Sequence, residues 1–293
     1  MTVYEAGKIC RDYYNLTNPT DEDQFLFTEA LRYLVEETKE PRYMLALGGF
    51  YYEERRFDLA LKYYEMAAKY DDLNAIVGLG YIWYYGRTGE RNFEKAFYYY
   101  DKARQAGDPV AAYKVADMYR NGYHVDKDLS KFREIIEDLY PKVKDLQMLG
   151  DPVPEVSIRL AKIRTEEGKT EEALRLYEKA RNFLEQRIRV SPFFGNLNIM
   201  KWMIEDIYKL KAFDEEDMRL YDLYYALGTP VRVRFTFEQK RHEVEAVEED
   251  GAVVIRFDDH WYRTVDDFFQ KAELDGELLT SRYEELYGFE VVK

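Results

Sequence analysis

The stretch Tyr43–Leu73, YMLALGGFYYEERRFDLALKYYEMAAKYDDL, holds two segments whose apolar residues recur every three or four positions, joined by the polar EERR. That period is helical, and two such segments of about 12 residues around a short polar turn predict an antiparallel helix pair. The same alternation returns in GLGYIWYYGRTGERNFEKAFYYYDKARQAGDP, Gly78–Pro109. Leu47-Gly48 reappears as Leu79-Gly80 after 32 residues, whereas Ala60, Tyr63-Tyr64 and Ala67 reappear as Ala96, Tyr99-Tyr100 and Ala103 after 36. The second copy therefore carries four extra residues in YGRTGERN, between its two helices. A third copy reads AAYKVADMYRNGYHVDKDLSKFREIIEDLY, with Val115-Ala116 in the Leu-Gly position. A fourth reads EVSIRLAKIRTEEGKTEEALRLYEKARNFL, where Leu160-Ala161 precedes Ala173 by the thirteen residues that separate Leu47 from Ala60.

Small residues at these landmarks let paired helices approach to the usual spacing of about 8–10 Å. Gly48, Ala60 and Ala67 are expected at such contacts. Tyr51, Tyr64, Trp83, Tyr100, Tyr119 and Tyr177 recur at landmark positions and are expected in the core. One helix pair cannot bury its apolar faces alone, so the copies are expected to stack into a solenoid.

The pattern A-x-x-x-L-G-x-x-Y, a loop, then K-A-x-x-Y-Y-x-K-A resembles the Sel1-like repeat, a relative of the tetratricopeptide repeat. Gly78–Pro109 fits it best, including the inserted loop and the closing A-G-D-P, and the resemblance covers residues 42–190. The copies depart from it in two places. Arg164 stands where a ring is usual, and the third copy lacks both the small residue near Ser130–Lys131 and the Tyr-Tyr pair. The resemblance implies a mainly α fold, a right-handed α-α superhelix. It also implies that the first helix of each copy lines a concave groove, at positions two before, two after and five after the landmark Leu. Carried over, these are Leu45, Gly49, Tyr52; Val77, Tyr81, Tyr84; Tyr113, Asp117, Arg120; and Ile158, Lys162, Thr165. Tyr52, Tyr81, Tyr84 and Tyr113 would then form an aromatic stripe with Asp117, Arg120 and Lys162 as polar neighbours. Tyr and Arg carry much of the energy at protein interfaces, so these seven are the expected partner-binding residues.

Residues 1–41 read as two further helices, a cap or degenerate copy, with Thr20 or Asp21 capping the second. Residues 191–229 read as a final helix pair, NLNIMKWMIEDIYKLK and DEEDMRLYDLYYALG, set off by Pro192 and Gly195 and stopped at Gly228. Residues 230–293 change character. VRVRFTFE, RHEVEAVEE and AVVIRFDD are β-branched and alternating, with a hairpin signal at Asp250-Gly251. TVDDFFQKAEL and LLTSRYEELYG read as helices and FEVVK as an edge strand. The expectation is about twelve helices in a solenoid, followed by a small α+β module of three or four antiparallel strands. This module resembles no family.

Composition narrows the function. The hydrophobic fraction is 46%, enough for a core, and 28 of 293 residues are Tyr. The net charge of −14 argues against a nucleic-acid or anionic-membrane binder and leaves room for a basic peptide. Residues 230–293 hold nine Lys and Arg against sixteen Asp and Glu. No apolar run reaches the roughly 18 residues of a membrane helix, no signal-peptide pattern opens the chain, and Cys10 is the lone cysteine, all in keeping with the cytoplasm. There are three histidines, His124, His242 and His260, and no zinc, redox, phosphate-loop or nucleophile-elbow motif. Asp258, Asp259 and His260 are able metal ligands, but neighbours on a strand point to opposite faces. The sequence therefore predicts a non-catalytic scaffold without cofactor or metal. Its partner would be a protein or peptide segment rather than a small-molecule substrate. The alternative is that the acidic module is the effector, a small enzyme or a mimic of nucleic acid, with the repeats as a targeting arm. A third possibility is that the module only seals the end of the array.

Overall fold

The structure, a computed structural model, describes residues 1–16 and 19–292. It divides into two compact units, Met1–Ile135 and Ile136–Lys293, each taken by itself below. The first is built from antiparallel helix pairs: α1 (Val3–Tyr13) with α2 (Asp21–Thr38), α3 (Pro41–Glu53) with α4 (Phe57–Ala68), and α5 (Leu73–Tyr85) with α6 (Phe93–Gln105). Next come α7 (Pro109–Asn121) and α8 (Leu129–Val143), whose second half belongs to the other unit. Capping follows the repeat. Asp72 and Asp108, 36 residues apart, accept hydrogen bonds from the Ala75 and Ala111 amides, and Asn92 and Asp128 do the same for Lys95 and Lys131. Thr20 and Asp23 form a capping box at α2. The loop between α3 and α4 is shorter than the one between α5 and α6 by the four residues that the landmark offsets imply.

The small landmarks are slots for rings. A Cβ on Gly48 would lie 2.4 Å from the Tyr64 ring, and one on Gly78 would lie 2.7 Å from the same ring, so Tyr64 is clamped between glycines of α3 and α5. Gly80 receives Tyr100 in the same way, at 2.4 Å. Ala60, Ala67, Ala96 and Ala103 have no exposed surface. Of the expected core rings, Tyr51, Tyr64, Tyr100 and Tyr177 are buried. Trp83 and Tyr119 are only half-buried, and the ammonium groups of Lys95 and Lys131 lie 3.9 and 4.3 Å from their ring centres. In α8, Phe132, Ile136 and Leu139 stand 36 residues after Ala96, Tyr100 and Ala103 and are buried in their place.

The second unit opens with the α9 (Val153–Glu166) and α10 (Thr170–Val190) pair, followed by α11 (Phe194–Leu210). Arg164, at the missing ring position, is 16% exposed and bridges Glu137, Glu167 and Glu172. The helix expected over DEEDMRLYDLYYALG does not form at full length: the chain makes a 3-10 turn at Leu220–Asp222 and a single turn, α12 (Leu223–Ala226). The reason is ionic. The Asp222 carboxylate accepts both terminal nitrogens of Arg181, the Tyr208 hydroxyl and the Arg219 amide, which draws the segment onto α10 and α11.

The remaining residues form β1 (Val231–Phe237), β2 (Lys240–Glu249), β3 (Ala252–Phe257), β4 (His260–Tyr262), α13 (Val265–Lys271), β5 (Glu273–Leu274), β6 (Glu277–Leu278) and β7 (Tyr287–Val292). They make a five-stranded antiparallel sheet in the order β4-β3-β2-β1-β7, and β5 and β6 form a separate hairpin. That is more strands than the sequence pattern indicates. LLTSRYEELYG is a 3-10 helix over Leu279–Glu285, and β7 is the edge strand expected at FEVV. Asp250-Gly251 turns the β2–β3 hairpin with positive φ at both residues. The inner face, Val233, Phe235, Phe237, Val244, Ala246, Ile255 and Phe257, is buried, and the ring of Phe268 from α13 meets Phe257 edge-on at 5.6 Å. Phe269 stacks on Tyr224 at 4.1 Å, which ties α13 to α12.

Candidate functional site

In the first unit, rings from the first helices of three successive pairs converge. Tyr52 of α3 stands 6.5 Å from Tyr81 of α5, whose hydroxyl lies 3.1 Å from that of Tyr113 on α7. Tyr81 stacks on Tyr85 at 6.1 Å, and Tyr84 meets Tyr85, Phe93 and Tyr123 edge-on. Tyr52, Tyr81, Tyr84 and Tyr85 are half-buried, and Tyr113 is 3% exposed. The four tyrosines expected as a stripe are thus one packed cluster. Asp117 and Arg120 lie further along α7, half-buried, with the Arg120 guanidinium over Phe132 at 5.2 Å. Lys162 belongs to the second unit, where it pairs with Asp206 of α11 at 2.8 Å.

Three members of the cluster, Lys114, Arg87 and Tyr85, were not expected from the sequence. Lys114 of α7 is 4% exposed, and its ammonium donates to the Tyr85 hydroxyl at 2.9 Å. It faces the rings of Tyr81, Tyr85, Tyr113 and Tyr84 at 4.7, 5.0, 5.3 and 5.5 Å. Tyrosine faces attract a cation and offset part of the cost of its burial. Arg87, from the inserted loop after α5, lays its guanidinium over Tyr85, Phe57 and Tyr52 and donates from Nε to the Tyr52 hydroxyl at 3.2 Å. Tyr100 of α6 reaches the cluster from below. Its hydroxyl is fully buried and has no hydrogen-bond partner among the described residues, and its ring meets those of Tyr81 and Tyr84 edge-on at 5.9 and 6.2 Å. Burial pushes the Tyr100 phenol well above its ordinary range, and it also raises Tyr52 against the pull of Arg87. Both therefore stay protonated at neutral pH and can donate.

Lys114 did leave a signal in the sequence. Its counterparts one residue before the landmark are Ala46, Gly78 and Arg159, so the position is small in two copies and a long cation in the other two. Arg87 lies in the inserted loop and Tyr85 beside the landmark positions, where repeat spacing marks neither.

The second unit offers other chemistry. His242 Nδ1 is 3.3 Å from Asp258 on the neighbouring turn, and its ring stacks on Phe235. His260 and Asp259 are exposed, and among the described residues no group of three His, Cys, Asp or Glu could hold a metal ion. A cleft of about 300 Å³ is lined by Arg189, Ser281, Arg282 and acidic residues including Glu284, which pairs with Arg189. Among the described residues no helix is long and apolar enough to cross a membrane.

Comparison with known proteins agrees with the repeat spacing. The Sel1 repeat profile matches residues 42–70, 73–108, 109–131 and 167–182. No curated protein matches the chain. Among solved structures, a Sel1 repeat protein from Oxalobacter formigenes is 21% identical over 77% of this chain and 88% of its own, with a TM-score of 0.50, a likeness of fold. The protective antigen c5321 of uropathogenic Escherichia coli, which displays an SLR fold, is 18% identical over 73% of this chain and 50% of its own, with a TM-score of 0.46. Helix pairs, ring slots and profile agree, and the chain carries Sel1 repeats.

Proposed function

We propose that the chain is a non-catalytic protein- or peptide-binding scaffold. Its working surface is the first-helix face of α3, α5 and α7, with Tyr52, Tyr81, Tyr84, Asp117 and Arg120 as the contact residues and the buried Tyr113 behind Tyr81. In the second unit, Lys162 on α9 is proposed as a further contact residue. Sel1 repeats are generally protein-interaction scaffolds, and such a role suits a cytoplasmic protein. The observation that carries the reading is the aromatic cluster, in which four half-buried tyrosines from two first helices adjoin two cations. Rigid amphipathic rings give contact area at low entropy cost.

The role proposed for residues 230–293 is to close the end of the helical stack. Its support is the packing of Phe269 on Tyr221 and Tyr224, together with the Lys201–Asp266 and Arg189–Glu284 ion pairs to α11 and α10. Affinity capture from a cell lysate tests both assignments, using the full chain, a Tyr84→Ala/Arg120→Ala variant and a folded chain ending at residue 228. The expected result is that the double variant loses the captured protein and the shortened chain keeps it. The reverse pattern would make the sheet region the recogniser.

A further inference from the structure

We propose that the meeting of α1, α2 and α3 around Tyr14 is a second docking surface, which takes a basic segment of a partner protein. An apolar side chain of that segment rests on the exposed rings, and a Lys or Arg of it lies against Glu53 and Glu54. The surface shares no contact residue with the α3–α5–α7 face and stands whether or not that face binds peptide.

The apolar half comes from ring packing. Tyr13, the last residue of α1, stacks on Phe27 of α2 at 4.0 Å, and Tyr14 meets Phe27 edge-on at 5.3 Å, with Phe50 of α3 a further 5.7 Å from Phe27. Phe27 is buried and anchors the group, yet Tyr14 is 68% exposed, and Phe25 and Leu26 beside Phe27 are 61% and 45% exposed. Seven of the seventeen large apolar side chains that stand exposed among the described residues belong to the first 26 residues. Singly scattered apolar residues are ordinary, whereas a concentration of this kind marks an interaction surface.

The charged half is the end of α3. Glu53 is its last residue and Glu54 its C-cap, and no basic residue stands in the last turn. Carboxylates there adjoin the negative end of the helix dipole, a place that favours a cation. Neither carboxylate has an ion-pair partner among the described residues, and Arg56, close by in the chain, lies over the Tyr51 ring at 4.9 Å. Partial burial, reinforced by Glu54, pushes the Glu53 carboxyl up. Burial also raises the phenols of Tyr13 and Tyr14, with Glu54, Glu53, Tyr14 and Asp23 adding to it at Tyr13, and Cys10 and Glu53 at Tyr14. The uncompensated acids therefore stand beside the rings.

Charge selects the occupant. Carboxylates and phenol faces both attract a cation. Residues 1–40 hold four Lys and Arg against nine Asp and Glu, so the surrounding field has the same sign. An acidic segment or an anionic lipid surface would be repelled. A second copy meeting this one through the same patch would bring the same acidic rim to both sides, as two-fold symmetry requires. A basic segment with an apolar anchor satisfies rings and carboxylates together.

The test uses the full chain and a random peptide library, selected for binders that prefer the wild type to a Glu53→Gln/Glu54→Gln variant. All three side chains to be altered are exposed, so the fold is kept. The recovered peptides are expected to carry Lys or Arg close to a Leu or aromatic residue. Each should bind about tenfold or more weakly to the Gln/Gln variant and to Tyr14→Ala, the scale of an interface anchor. Glu248→Gln/Glu249→Gln, an equal loss of charge at the β2–β3 hairpin, should leave affinity unchanged, as should Tyr84→Ala/Arg120→Ala. The surface is overturned if no peptide prefers the wild type, if those that do lack basic residues, or if the hairpin variant weakens them equally. Indifference to Tyr14→Ala would remove the apolar half and with it the site. Self-association of the wild type, lost on Tyr14→Ala in sedimentation, would make the occupant a second copy and overturn the basic partner.

Discussion

At the residue scale, Gly48 and Gly49 are adjacent in one helix and are opposites in packing. A Cβ at Gly48 runs into the Tyr64 ring at 2.4 Å, whereas one at Gly49 meets nothing within 4 Å. Alanine in a helix gains about 0.5–1 kcal/mol over glycine, and overpacking a closed site costs about 1–3 kcal/mol. Chemical denaturation should therefore show Gly49→Ala stabilised by about 0.5–1 kcal/mol and Gly48→Ala destabilised by about 1–3 kcal/mol. Ala96→Leu, at a position with no exposed surface, should lose a similar amount. These sites were legible as spacing, because a small residue recurring at fixed distance from a tyrosine pair betrays a close approach. What the spacing conceals is the object approached, a ring rather than a backbone. It shows a long cation one residue before the landmark at Lys114, but a periodic pattern is silent on where that side chain goes, and so on the rings that surround its charge.

At the element scale, the helices that depart from the repeat are held by charge. Arg181, Glu185 and Asp222 are all less than a tenth exposed, and the Arg181–Asp222 pair anchors the turn before α12. Removing one partner of a buried pair leaves the other uncompensated. Asp222→Ala is expected to cost about 3–5 kcal/mol, measured by denaturant melts, and to free Leu220–Ala226 for rapid amide exchange. Such a link spans 41 residues, which is why DEEDMRLYDLYYALG reads locally as a full helix and folds as a 3-10 turn and a single α turn. A milder tie joins α9 to α11. Burial pushes the Asp206 carboxyl up, but the Lys162 and Lys209 ammonium groups prevail and hold it below its ordinary value of 3.8. A depressed folded value means the stabilisation is complete above the ordinary aspartate range and fades as pH falls through the folded value. The difference in thermal stability between wild type and Asp206→Asn should accordingly persist at neutral pH and vanish on acidification below 3.8.

At the scale of the whole molecule, the repeat array was legible and its ending was not. Period and landmarks fix the helix pairs of the first unit, while the docking of the sheet region depends on contacts such as Tyr224–Phe269 and Lys201–Asp266 that join distant segments. If that region seals the stack, a chain ending at residue 228 should leave Tyr221 and Tyr224 without their aromatic partner. Faster amide exchange in α11 and α12 would be the sign, and unchanged protection there would argue for an independent module. The ring clamp in the array bears on how such a chain can lengthen. Tyr64 belongs to α4, yet one of its two glycines, Gly78, lies in the following repeat. A duplication cut at the loop between α4 and α5 must therefore carry a glycine at its leading edge and a tyrosine at its trailing one. A copy lacking either would leave a slot unfilled or a ring unhoused at the new seam. The double-glycine seam is particular to α4 and α5, because the Gly78 position is Ala46 in the copy before and Lys114 in the copy after, so a duplicate inserted elsewhere would not inherit it.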